Sequence, residues 1–329
     1  MLKNLPLFNA FWTLLLHCCD ESTPLQVTSP VHTIMGWNAS FSMQLDPYPD
    51  RDSLITVLKN GMIIMRIKGT LSRDVADRFE FTGNTIENRI SFGLRNVTLG
   101  DAGTYTATES GIPPGGEQTL IVKASPSKPQ IIALTSSVLG SDYCLNCSSV
   151  SNSAPPDHGL TMMSEWKVND QLITTGGHYN IQGTELTITS LTRQDNGAKL
   201  TCVAYEDSLA KSVPSNENVI DVKYGPDSTQ LNPSGGIIRA IDNQSVIIQC
   251  TADCNPTCSF QWRRGSVPGY LKPSQTLMIG SIGKSDTDNY TCTVSNSITG
   301  RSQSLQTTLI AVCKYSKQES LRQQHCTLL

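Results

Sequence analysis

Three things are missing from this 329-residue chain: an excess of positive charge, a second apolar run long enough to cross a bilayer, and sustained helical periodicity. Lysine and arginine total 25 against 28 aspartates and glutamates, a formal net charge of -3. No basic field gathers phosphates, so nucleic acid is not an expected partner and charge-driven membrane binding has no support. Past the first 20 residues no apolar stretch reaches the roughly 18 residues a span requires. The last segment, 313–329, is polar and carries Lys314, Lys317 and Arg322, so neither a membrane span nor a lipid-anchor tail is expected there. Catalytic signatures are missing as well. The five histidines (His17, His32, His158, His178 and His325) show no His-x-x-x-His spacing, and no Gly-x-Ser-x-Gly, phosphate-loop or dinucleotide pattern accompanies them. No enzyme, no cofactor and no metal site is expected.

What the chain does have is 11 cysteines, many for a reduced compartment. Its first residues place Lys3 ahead of a short apolar run from Leu5 to Leu16, which reads as a secretory signal over 1–19. Asn-x-Ser/Thr acceptors follow at Asn38, Asn96, Asn146, Asn243 and Asn289. Together these imply a secreted, extracellular, disulfide-bonded glycoprotein. Two Pro-rich junctions, Ser125 to Pro129 and Tyr224 to Asp227, cut the remainder into lengths of about 100 residues, a usual domain size. Between them lie short β-like runs punctuated by Gly, Asn, Asp and Pro. The economical reading is all-β, with three tandem sandwiches at 23–123, 129–223 and 227–312 ahead of a polar tail at 313–329.

The third segment is the most specific. Val246 to Cys250 reads as a strand ending in Cys; Trp262 follows 12 residues later, and Asp286-Thr-Asp-Asn-Tyr290-Thr-Cys292 closes the set. This spacing resembles the immunoglobulin fold. The resemblance implies that Cys250 and Cys292 bridge the sheets, that Trp262 packs on the bridge, and that Tyr290 makes a corner hydrogen bond. In the chain-entropy picture, closing such a loop stabilises by roughly 4 kcal/mol. Cys254 and Cys258 flank Asn255-Pro256-Thr257 and read as a local disulfide; the competing zinc site needs further ligands that the sequence through Trp262 does not supply. In the second segment Leu145 and Cys147 share strand parity while Cys144 points the other way, which leaves Cys147, Trp166 and Cys202 as the core set. The stretch from Asp195 to Cys202 resembles the second domains of nectin-like adhesion proteins, and Leu200 stands where the corner Tyr would be, so that bond is expected to be absent.

The first segment departs from the pattern. Asp101-Ala-Gly103-Thr-Tyr105-Thr-Ala107 keeps the Asp-x-Gly-x-Tyr frame, but Ala107 and Met43 occupy the two Cys positions. A V-type domain without its disulfide is expected, with Arg78 pairing Asp101. Such a domain ahead of two disulfide-bonded C2/I-type domains resembles the carcinoembryonic-antigen adhesion family. The resemblance implies an extracellular protein-binding module for adhesion or immune recognition, meeting a cell-surface or soluble protein, homophilic or not, mainly through the first domain. The strand candidate Met62 to Ile67 is apolar on both faces, so one must turn from the core or lie under its own neighbours. Met62, Ile64 and Arg66, with Ile112 and Pro113 in the Gly-Pro loop, form the candidate partner face. The rival reading is a secreted structural or matrix glycoprotein: Cys144, Cys313 and Cys326 remain after the pairs above, an odd number that raises a disulfide-linked dimer through the tail. Cys326-Thr-Leu-Leu matches a prenylation pattern by coincidence, since a secreted chain never meets that cytosolic machinery.

Overall fold

The computed structural model describes residues 29–45, 53–68, 71–73, 75–84, 89–109 and 116–312. It divides into two compact units: residues up to 123 with 153–158, and 124–152 with 159 onwards. The first holds one hydrophobic core and the second holds two. Each core lies between two mainly antiparallel sheets, which makes three β-sandwiches in tandem.

The first sandwich is built from β1 (Val31–Ile34), β2 (Ala39–Gln44), β3 (Leu54–Lys59), β4 (Met62–Lys68), β5 (Leu71–Arg73), β6 (Phe79–Asn84), β7 (Arg89–Leu94), β8 (Gly103–Glu109) and β9 (Gly116–Lys123). One sheet runs β1-β9-β8-β3-β4-β5 and the other β2-β7-β6, with β1 parallel to β9. Two-residue alternation selects the core. Ala39, Phe41 and Met43 point inward from β2, and Ile90, Phe92 and Leu94 from β7. Asn60 and Gly61 close the β3–β4 hairpin at φ 48° and 81°, the left-handed pair a tight twisted hairpin needs. Asn60 also ties the hairpin to β8, its Oδ1 accepting the Thr104 N–H at 3.1 Å.

Alternation breaks in β6, between Phe81 and Gly83, and in β4, where the break corrects one expectation. Opposite β3, Met65 pairs with Val57 but Ile63 pairs with Leu58, so Ile64 is the extra residue of a bulge. The bulge flips the parity: Met62 and Ile63 are 68% and 49% exposed, while Ile64 and Met65 are buried. Ile64 therefore belongs to the core and not to the outer face, and Ile63 takes the exposed place.

The second sandwich comprises β10 (Gln130–Ala133), β11 (Tyr143–Ser148), β12 (Met163–Val168), β13 (Gln171–Ile173), β14 (Tyr179–Gln182), β15 (Glu185–Ile188), β16 (Lys199–Tyr205) and β17 (Asn218–Val219). Its sheets run β10-β11-β15-β14 and β13-β12-β16-β17. The third comprises β18 (Tyr224–Asn232), β19 (Ile237–Ile241), β20 (Val246–Asn255), β21 (Ser259–Arg264), β22 (Thr276–Ile279), β23 (Asp288–Asn296) and β24 (Arg301–Val312). Its sheets run β18-β20-β22 and β19-β24-β23-β21, with β19 parallel to β24.

Candidate binding face and its supports

Each sandwich is pinned at its centre. Cys147 on β11 is bonded to Cys202 on β16, with Cα atoms 6.2 Å apart, and Cys250 on β20 to Cys292 on β23, at 6.5 Å. Trp166 and Trp262 beside these bridges are fully buried. Cys254 and Cys258 close a short loop at 5.7 Å; Cys144, half-buried on β11, forms no disulfide among the described residues, outside which Cys313 and Cys326 lie, and its Sγ is 3.7 Å from Thr187 Oγ1. In the first sandwich Met43 and Ala107 stand at the corresponding centre, both fully buried. Aromatics fill the space instead. Phe41 stacks on Phe92 with centroids 4.5 Å apart and planes within 11°, and Tyr105 leans on Phe41 at 4.5 Å. Such pairs add about 0.5–1.5 kcal/mol beyond their area burial.

A recurring turn braces the sheet that contains β8, β16 or β23. Asp101 ends the 3-10 turn Leu99–Asp101; its Oδ2 accepts the Thr98 N–H and hydroxyl at 2.7 and 2.8 Å. Arg78 clamps the same carboxylate with two hydrogen bonds, at 3.0 and 2.6 Å. Its backbone lies at φ 74°, an uncommon conformation for a non-glycine residue. The Tyr105 hydroxyl donates to the Asp101 carbonyl at 2.8 Å. Burial pushes that hydroxyl well above its ordinary pKa, so it stays a donor. In the third sandwich Tyr290 donates likewise to the Asp286 carbonyl at 3.1 Å, and Arg264 reaches Asp286 and Asp288. In the second, Leu200 is buried and offers no hydroxyl. There His178 stands beside the turn, with Nε2 3.0 Å from Asp195 Oδ1, while Thr192 donates to Asp195 Oδ2 through its N–H and its hydroxyl, each at 2.7 Å.

These turns carry a pH dependence. Burial pushes Asp101 up, but the hydrogen bonds from Arg78 and Thr98 outweigh it and hold the carboxyl below its usual value. A carboxylate depressed by folding stabilises fully above its unfolded pKa, about 3.9, and loses that contribution as pH falls through the lower folded value. The thermal stability of the first sandwich is therefore expected to fall below about pH 4, and Asp101→Asn to lower stability at pH 7 while flattening that acid limb. An unchanged acid limb in the variant would exclude Asp101 as its source.

The outward side of the six-stranded sheet is half-buried along β3 and β8, and Pro155, Asp157 and His158 lie beside its Thr104 and Thr119. From β3 it presents Thr56 and Leu58, opposite Thr108 and Thr106 of β8; Thr104 of β8 pairs with Thr119 of β9. Exposed Met62 and Ile63 border it at the hairpin, and half-buried Arg66 lies farther along β4. Ile112 and Pro113 lie outside the described residues. Threonine hydroxyls around Leu58, with Arg66 and Glu117 on the same side, suit a mixed polar and apolar protein contact.

Four of the acceptor asparagines, Asn38, Asn96, Asn243 and Asn289, are exposed. Asn146 is half-buried on β11, and its Oδ1 is buried without a hydrogen-bond partner among the described residues. Another feature without a sequence signal is the brace within the second unit. Arg193 bonds Asp227 at 2.7 Å and Asp253 at 2.8 Å, with its guanidinium 3.7 Å over the Tyr224 ring. Asn255 donates to Asp221 Oδ1 and to the Val222 carbonyl at 2.6 and 2.7 Å. Gly225, at φ 87°, leaves no room for a Cβ, which would sit 2.8 Å from the Cys254 Cα.

Residues 228–296 match the family described as Immunoglobulin domain. Among curated proteins, the chain is 30% identical over 226 residues to Cell adhesion molecule 3 of Homo sapiens, covering 64% of this chain and 54% of that one. It is 29% identical over 237 residues to Cell adhesion molecule 3 of Mus musculus, covering 68% and 57%. To Sialic acid-binding Ig-like lectin 5 of Mus musculus it is 25% identical over 244 residues, covering 68% and 41%. The chain thus matches a little over half the length of its cell-adhesion relatives. Among solved structures, the full ectodomain of mouse nectin-like molecule 4 is similar at TM-score 0.39 and 19% identity, covering 89% of this chain and 100% of that one. The titin I-band fragment I67–I69 is similar at TM-score 0.48 and 17% identity, covering 87% and 96%. No helix among the described residues is long and apolar enough to cross a membrane. Three tandem β-sandwiches make up the described chain; the third matches the immunoglobulin-domain family, and the sequence is similar to that of the cell adhesion molecules.

Proposed function

We propose that this chain is an extracellular protein-binding module for cell adhesion or immune recognition, secreted through its 1–19 signal, and that ligand contact runs mainly through the first domain, residues 23–123. The observation that carries this reading is the outward face of β9-β8-β3-β4. Its Thr56, Leu58, Thr104, Thr106, Thr108 and Thr119 offer hydrogen bonds and apolar contact, and Arg66 and Glu117 add one charge of each sign on the same side. The similarity to cell adhesion molecules supports the same reading. The second and third domains then act as a spacer stiffened by the Arg193 brace, and the ligand is a cell-surface or soluble protein, which includes a second copy of this chain. The test is saturable binding of the purified chain to cells or to itself. Binding is expected to disappear when residues 23–123 are deleted; retention at full affinity would move the site to the second or third domain.

A further inference from the structure

Of the three tryptophans among the described residues, Trp166 and Trp262 are fully buried, whereas Trp37 is 58% exposed. Its backbone is firmly held. The Gly36 N–H donates to the Val97 carbonyl at 2.7 Å, the Val97 N–H to the Trp37 carbonyl at 2.8 Å, and the Trp37 N–H to the Ile34 carbonyl at 2.9 Å. Met35, 50% exposed, stands in the same turn. The protein thus presents an indole and a thioether to water side by side on a hydrogen-bonded turn. The next residue is Asn38, head of the acceptor Asn38-Ala39-Ser40. The Asn38 carboxamide is oriented by its oxygen, which accepts the Asn96 N–H at 3.0 Å.

We propose that Asn38 carries an N-linked glycan whose protein-proximal sugar packs on Trp37, so that this apolar spot is covered by the chain's own carbohydrate and not by a partner protein. The proposal rests on the extracellular reading above. Attachment joins the Asn38 amide nitrogen to the anomeric carbon of an oligosaccharide carried on a lipid pyrophosphate. The C–N bond forms, the anomeric C–O bond breaks, the pyrophosphate leaves with the bonding pair, and the nitrogen gives up one proton to the transferase. A pyranose has an apolar C–H face that matches the indole face, and tethering at the neighbouring residue keeps its effective concentration high. The outer sugars stay in water and add solubility.

The test uses the full chain made in a secreting animal cell. Glycopeptide mass spectrometry reads Asn38, Asn96, Asn146, Asn243 and Asn289; acrylamide quenching reads Trp37, with Trp37→Phe identifying its contribution; thermal unfolding reads the first domain. Ser40→Ala removes the acceptor and leaves the Asn38–Asn96 bond in place. Asn38 is expected to be occupied, and trimming to a single sugar to change neither readout. Ser40→Ala is expected to raise quenching at least about twofold and to lower the first-domain Tm by about 2–6 °C, and to do neither in a Trp37→Ala background. An unoccupied Asn38 beside any other occupied acceptor overturns this proposal alone; no occupied acceptor anywhere overturns the extracellular reading with it. Occupancy of Asn38 with no effect of Ser40→Ala on either readout overturns the packing.

Discussion

Phe41→Ala is expected to unfold the first sandwich at temperatures where the other two remain folded. Phe41 is the centre of the only core here that lacks an intersheet cross-link among the described residues: it stacks on Phe92 and touches Tyr105, each at 4.5 Å between centroids. Truncating a buried Phe removes its transfer energy and leaves a cavity, together about 3–5 kcal/mol. A domain of this size has about 5–15 kcal/mol in all, so the loss takes much of its margin. The first unit packs as a compact body of its own, which confines the effect. Calorimetry is expected to show one transition moving down steeply and the rest holding. A uniform shift of every transition would mean that the cores are coupled, and no shift would mean that the aromatic stack does not hold the sheets.

Replacing Cys250 and Cys292 together with alanine is expected to cost the third sandwich about 2–5 kcal/mol. The bridge spans 42 residues and restricts the unfolded chain, and Trp262 loses the sulfur surface it packs against. The same exchange at Cys254 and Cys258, which are only 4 residues apart, restricts far less chain and is expected to cost about 2 kcal/mol at most in the entropy model. Urea unfolding measures both, and a similar m-value in each variant keeps the comparison valid. Equal costs would contradict the loop-length argument and point to strain or packing instead.

The all-β, three-sandwich architecture is legible in the sequence because its determinants are local. Two-residue alternation in β2 and β7 marks the inner face, and Asp-x-Gly-x-Tyr before Ala107, like Asp286 to Cys292, places a turn, a corner and a strand within seven residues. The Thr-x-x-Asp spacing of Thr98 and Asp101 recurs at Thr192 and Asp195, so the second sandwich's turn is readable even without its tyrosine. What escapes the sequence depends on partners far away along the chain. The bulge that buries Ile64 and exposes Ile63 is set by β4's register against β3, which no window of β4 contains. The link from Arg193 to Asp227 and Asp253 spans 34 and 60 residues, and the place of His178 beside Asp195 depends on β14 meeting the turn. The exposure of Trp37 is likewise invisible to a composition argument that expects indoles inside.

Binding by the outward face of the first domain is tested most directly by Thr106→Arg. Thr106 lies mid-strand on β8, outward-facing between Leu58 and Glu117, so the substitution places a charge at the centre of the face and leaves the core untouched. The chain is expected to keep its Tm and lose at least about tenfold in affinity for its ligand, a cost of roughly 1.4 kcal/mol or more. Unchanged affinity with an intact fold would contradict it.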